Sequence, residues 1–186
     1  DYLGVDAGST DPGPYYLGSG KSFTNRTAVK RDLMLALPLA IENKTPFIIG
    51  TAGGAGSKEH VLWLKEIICE IAEELSLHFS LGTIYSDVSK EYVLEKLNGD
   101  KVKNMSNYFT LDSSAINQSE KIVSQIGVAP IIKLLEKKVD VIVCGRACDT
   151  AIYAAPLVMN GYDEGLAFHM AKIMEYAISL PEFREI

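Results

Sequence analysis

Apolar positions along the chain fall into two rhythms that take turns. Short continuous apolar runs at Tyr2–Val5, Phe47–Gly50, about His78–Tyr85 and Val139–Cys144 have the length and continuity of strands covered on both faces. Between them the spacing is helical. From about Thr24 to Asn43, Leu33, Met34, Leu37 and Ile41 share one face, and Pro38 inside that stretch predicts a kink or break. From Lys58 to Leu75, Val61, Leu64, Ile68, Ile71, Ala72 and Leu75 form one stripe, with Ser57 as the predicted N-cap. Ser89 to Leu97 reads as a short helix stopped by Asn98-Gly99. Ser119–Gln125, Pro130–Lys138, Asp149–Val158 and Gly165–Ser179 are predicted helices as well, the last two joined by a turn at Asn160-Gly161. Residues 100–117 carry no clear period beyond a strand expected near Tyr108–Leu111.

Strands that alternate with helices need crossover connections, which make a mainly parallel sheet. The predicted fold class is therefore α/β, three-layered and Rossmann-like, with helices on both faces of the sheet and residues 1–186 in a single domain. Ligands of such sheets bind outside the carboxyl ends of the strands. The residues just past the predicted strand ends are Asp6–Gly13, Gly50–Ser57, Ser86–Asp87 and Gly145–Asp149. Most of the chain's unusual glycine and polar content lies in these four places, so they are expected to form one small-molecule cleft.

Composition narrows the choice of ligand. The 186 residues are 47% hydrophobic and 23% charged, as in ordinary soluble domains, and the net charge of −6 argues against nucleic acid as a partner. No apolar run approaches the roughly 18 residues of a membrane helix. The three cysteines suit a reducing cytoplasm better than a disulfide scaffold, and Cys144 and Cys148 lack the spacing and the second pair of a structural zinc site. The chain opens at Asp1, almost directly inside a strand, so an upstream segment is expected.

The chemistry is carried by four motifs. Thr51–Ser57 (TAGGAGS) runs into a helix, where glycines allow backbone N–H groups to converge and the helix N-terminus adds positive potential. It has neither the Walker A nor the G-x-G-x-x-G spacing. Gly53, Gly54, Ala55 and Gly56 are accordingly candidates for cradling an anion, and the alternative is a tight turn that packs the helix close to the sheet. Arg146 and Asp149 follow a buried strand; they either clamp a carboxylate and poise an acid or base, or pair with each other as a tether. His169, Lys172 and Glu175 sit at three-residue steps on one predicted helix, facing either a common cleft or solvent. Gly4–Thr10 (GVDAGST) resembles the first phosphate loop of the actin and sugar-kinase superfold, which would make this an ATP-binding module with antiparallel first strands. The Asp11-Pro12-Gly13-Pro14 sequence that follows opposes regular strand pairing.

In order along the chain, DAGSTDPGPYYLGSGKSF, KRDLML, FIIGTAGGAG, VDVIVCGRACDTAIYAA and GLAFHMAKIMEYA resemble the acyclic terpene utilisation (AtuA-like) family. The resemblance spans essentially the whole chain and implies a place in catabolism beside acyl-CoA carboxylase-type proteins, with a further C-terminal portion. Its motifs imply Asp6, Ser9, Thr10, Asp11, Gly53, Gly54, Arg146 and Asp149 as site residues, with His169, Lys172 and Glu175 behind them. The run Ile-Leu-Glu-Cys-Gly common in the family is changed here, with Met174, Tyr176 and Ala177 in place of Leu, Cys and Gly. The expected protein is a cytoplasmic, homo-oligomeric catabolic enzyme or enzyme subunit that binds a small anionic metabolite, a carboxylic acid or acyl-CoA. Asp6, Asp11 or Asp149 would do acid–base work, of lyase or hydratase type. The residues single out no cofactor. The alternative is a non-catalytic binding or assembly subunit, favoured by the lack of a nucleophile–base pair. Tyr15, Tyr16 and Asp11 are expected to shape specificity.

Overall fold

The structure is a computed structural model that describes residues 1–105, 108 and 110–176. In chain order it runs β1 (Leu3–Gly8), α1 (Tyr15–Ser19), α2 (Arg26–Glu42), β2 (Phe47–Gly54), α3 (Lys58–Glu74), β3 (Leu81–Ile84) and α4 (Lys90–Asn98). It continues with α5 (Ser113–Gln118), α6 (Val128–Glu136), β4 (Val141–Cys144), α7 (Ala151–Met159) and α8 (Glu164–Tyr176). The four strands form a parallel sheet in the order β1-β2-β4-β3.

Alternation along the central strands sets the two faces. Phe47 and Ile49 of β2, with Val141 and Val143 of β4, pack against Leu33 and Leu37 of α2 and Leu64, Ile68 and Ile71 of α3. Ile48, Ile142 and Cys144 point the other way, onto Ile131 and Leu135 of α6 and Ala151 and Ile152 of α7. Right-handed crossovers account for this arrangement. The β1-to-β2 and β2-to-β3 connections progress in one direction across the sheet and put α2 and α3 on one face. The return from β3 to β4 puts α6 on the other.

Several expectations are corrected. Pro38 does not end α2, which continues from Arg26 to Glu42. The lost backbone bond costs about 3 kcal/mol, but Leu33, Leu37 and Ala40 are buried on the face that packs on the sheet. Residues 119–125 are not helical: Ser113–Gln118 takes the helix, capped by Asp112, whose side chain accepts the Ala115 N–H at 2.8 Å. The following segment is extended across the sheet's carboxyl edge, with a bridge between Asp87 and Val123. Of the strand expected at Tyr108–Leu111, residue 109 lies outside the described residues, and Tyr108, Thr110 and Leu111 are not in a strand. Residues 177–179 of the last predicted helix also lie outside them. β1 is parallel to its neighbour β2, which overturns the actin and sugar-kinase reading, since that loop requires an antiparallel hairpin.

Candidate functional site

At its carboxyl end β2 leaves regular geometry. The register with β1 slips between the Asp6–Gly50 and Gly8–Gly54 pairs, a bulge in β2. Within it Thr51 holds φ at 48°, an uncommon conformation for a β-branched residue. The contorted backbone aims the buried Thr51 hydroxyl at Ala147, accepting its N–H at 3.1 Å and donating to its carbonyl at 3.3 Å. The β2 and β4 loops are thus locked together at the sheet edge. Ser86, past β3, adds a second clasp: its hydroxyl donates to the Gly56 carbonyl at 2.9 Å and accepts the Arg146 N–H at 2.8 Å.

The glycine cradle faces its own protein. Residues 51–57 are all buried. The Ser57 N–H donates to His60 Nδ1 at 3.1 Å, and His60 Nε2 therefore carries the proton it gives to the Lys21 carbonyl, at 2.9 Å. Phe23 lies directly over Gly54, and the Gly53 carbonyl accepts the Phe23 N–H. Tyr15, Tyr16 and Phe23 stack edge to face on the outside of this loop. Of the four cradle candidates Ala55 lines the cleft and Gly53 a separate groove between β1 and α2–α3, while Gly54 lies under Phe23 and Gly56 against Gly145 and Arg146.

The cleft has two compartments that share Ser9, Thr10, Arg146 and Asp149. The smaller, about 260 Å³, adds Asp6, Gly8 and Asp11 from β1 and its loop, and Lys172, Glu175 and Tyr176 from α8. The larger, about 510 Å³, adds Leu17 of α1, Ala55 from the β2 loop, and Val123 and Gln125 from the extended segment. Sequence reasoning thus brings Asp6, Ser9, Thr10, Asp11, Arg146, Asp149, Lys172 and Glu175 to one place. His169 is exposed and does not line the cleft. A third groove of about 320 Å³, between β1 and α2–α3, is lined by Leu3, Val5, Leu33 and Trp63 and has no converging polar groups beyond Thr24 and Asp32.

Electrostatics in the smaller compartment centre on Asp6. Burial pushes its carboxyl up to about 6, helped by the negative charges of Asp149 and Glu175; the Gly8 N–H and Arg146 act against the shift. Arg146 has no carboxylate within ion-pair distance among the described residues, and its guanidinium donates one hydrogen bond, to the Gly54 carbonyl at 3.3 Å. The Arg146–Asp149 tether is therefore not formed. Lys172, by contrast, is already paired with Glu175 at 2.8 Å. Tyr153 went unnoticed in the sequence although it stands four residues after Asp149. Its ring rests on Gly4, its oxygen is hydrogen-bonded by the Asp6 backbone, and burial raises its pKa, keeping the phenol protonated beside Asp6. Among the described residues no group of three or more His, Cys, Asp and Glu is placed to hold a metal, and no helix is long and apolar enough to cross a membrane.

This is a three-layer α/β protein with a charged cleft at the carboxyl edge of a parallel sheet, where proteins of this class bind small ligands. Over residues 21–164 the chain matches the acyclic terpene utilisation family protein AtuA, and it belongs to that family. Membership implies a role in acyclic terpene utilisation. The matched span contains Gly53–Gly56, Arg146 and Asp149, while Asp6–Asp11 and Lys172–Glu175 lie outside it. No curated protein and no solved structure matches the chain.

Proposed function

We propose that the cleft binds a small carboxylic acid or its coenzyme A thioester and performs an acid–base step of lyase or hydratase type in catabolism. The observation that carries this reading is Arg146, a cation in the shared wall of both compartments with no carboxylate partner among the described residues. An arginine fork left open in a cleft suits a carboxylate or a polarised carbonyl oxygen. Asp6 and Asp149 then supply the proton traffic. In the elimination direction the Asp149 carboxylate takes the proton from the carbon beside the carbonyl. Asp6, held partly protonated near neutral pH, gives its proton to the departing hydroxyl, and water leaves. The raised pKa of Asp6 suits it to the proton-donor half of this division of labour.

The test is calorimetric titration of the folded protein with a panel of carboxylic acids and acyl-CoA thioesters, paired with deuterium uptake at the carbon beside the carbonyl in D2O. Binding that Arg146→Ala weakens about tenfold or more, with exchange that Asp149→Asn abolishes, supports the reading. Absence of binding by every acid and thioester overturns it. Binding without exchange leaves a binding subunit in place of the enzyme.

A further inference from the structure

The larger compartment differs from the smaller in one chemical respect. Outside the shared wall, the smaller adds the charged side chains of Asp6, Asp11, Lys172 and Glu175. The larger adds none: its own side chains come from Pro14, Leu17, Ala55, Val123 and Gln125. A ligand gripped by Arg146 thus meets charge on one side and a largely apolar space of about 510 Å³ on the other. We propose that this chamber takes the aliphatic chain of an acyl substrate whose carboxyl or thioester head lies at Arg146, so that the protein selects medium-length acyl chains over short ones. This rests on the reading of the cleft given above.

The chamber is a built wall rather than a loose gap between loops. The extended segment that closes it is tied to the sheet edge by main-chain bonds. Val88 N–H reaches the Ile122 carbonyl at 2.9 Å, and Ser124 N–H the Ser86 carbonyl at 2.8 Å. Ile126 N–H then reaches the Arg146 carbonyl at 2.8 Å, and Cys148 N–H the Ile126 carbonyl at 2.9 Å. Successive side chains of extended backbone point to opposite sides. Ile126 enters the core below, while Val123 and Gln125 line the chamber. The ion pair of Lys121 with Glu59, at 2.8 Å, fastens the start of the same segment to α3. Its size falls in the range of ordinary ligand pockets, and together with the charged compartment it has the usual pattern of an apolar chamber beside a few placed polar groups.

The experiment titrates the protein with straight-chain carboxylates (acetate, butanoate, hexanoate and octanoate) and with the matching coenzyme A thioesters. The expected result is an affinity that rises about fourfold for each added methylene until the chamber is filled. A gain in either series supports the proposal and tells which head group Arg146 accepts. Leu17→Trp and Val123→Trp, which fill the chamber, should erase the gain of octanoate over butanoate, with folding checked by circular dichroism. Gln125→Leu tests the same point from an exposed position that makes no hydrogen bond among the described residues, and should strengthen octanoate binding severalfold. Short acids that bind with no chain-length gain, or octanoate affinity unchanged in both tryptophan variants, overturn the chamber alone. If no acid or thioester of any length binds, the reading of the cleft fails and takes the chamber with it.

Discussion

The Gly56 carbonyl accepts the Arg146 N–H at 3.1 Å, and a Cβ on Gly56 would stand 2.6 Å from the Arg146 Cα. The β2 and β4 loops meet backbone to backbone with no room for a side chain, and Gly56 does so at a φ of 74°. Gly56→Ala should therefore cost about 2 kcal/mol or more, from a strained φ added to a clash with main chain that has no flexible end to yield. Urea denaturation reads this directly. A stability equal to wild type would mean that the two loops are not so closely joined.

Arg146 itself is expected to behave differently. Its side chain contributes one hydrogen bond, to a backbone carbonyl, so Arg146→Ala should leave stability within about 1 kcal/mol of wild type. Loss of a charge-assisted bond to a bound carboxylate should weaken binding roughly tenfold to hundredfold. Arg146→Lys should recover part of it, because the charge remains but the fork is gone. Melting temperature and calorimetry on the two variants separate these effects.

Asp6 gives a pH signature with a definite sign. Its pKa is about 6 when folded and near 3.8 when unfolded, so the folded state holds the proton more tightly. The destabilising effect of its charge is absent below about pH 4, grows as pH rises, and is complete above about pH 6. Asp6→Asn should thus stabilise the protein at pH 7.5, by about 1 kcal/mol once solvent screening of a partly exposed group is allowed for, and have no such effect at pH 3.5. Carbon-13 NMR titration should find a carboxyl titrating near 6 that disappears in the variant.

Glu59 works in the opposite sense. Hydrogen bonds from Lys121 and then Ser57 hold its carboxyl down to about 2. The support it gives is present above the ordinary glutamate value and fades as pH falls toward 2. Glu59→Gln should loosen the start of the 119–127 segment at neutral pH. Faster hydrogen exchange at Ser124 and Ile126, with unchanged protection in β4, is the expected result.

The sheet was legible because β2 and β4 are buried on both faces and so read as unbroken apolar runs. Asp6, Arg146 and Asp149 were legible for a related reason: polar residues just past such runs have one edge to occupy. The larger chamber was not. Val123 and Gln125 line it because the 119–127 segment bonds to Ser86 and Arg146, some 20 to 40 residues away in sequence, and nothing local marks an extended chain there. Its serines and scattered apolar residues suit a helix equally well. Nor does a run of glycines say which way its N–H groups face. TAGGAGS has the composition of an anion cradle, and contacts with Phe23, His60 and Arg146 close in on Gly53, Gly54 and Gly56.

The Ser86 hydroxyl joins the Gly56 carbonyl to the Arg146 amide, and with Thr51 it makes the floor of the cleft a single welded plate. The rim is different in kind: short α1, the outward side chains Val123 and Gln125 of the extended segment, and the last turn of α8 line the cleft without taking part in these bonds. Substitution should therefore be tolerated more readily at the rim than at the floor. A few rim substitutions should then be enough to change which ligand fits, with Arg146 and the hydrogen bonds of the floor left where they stand.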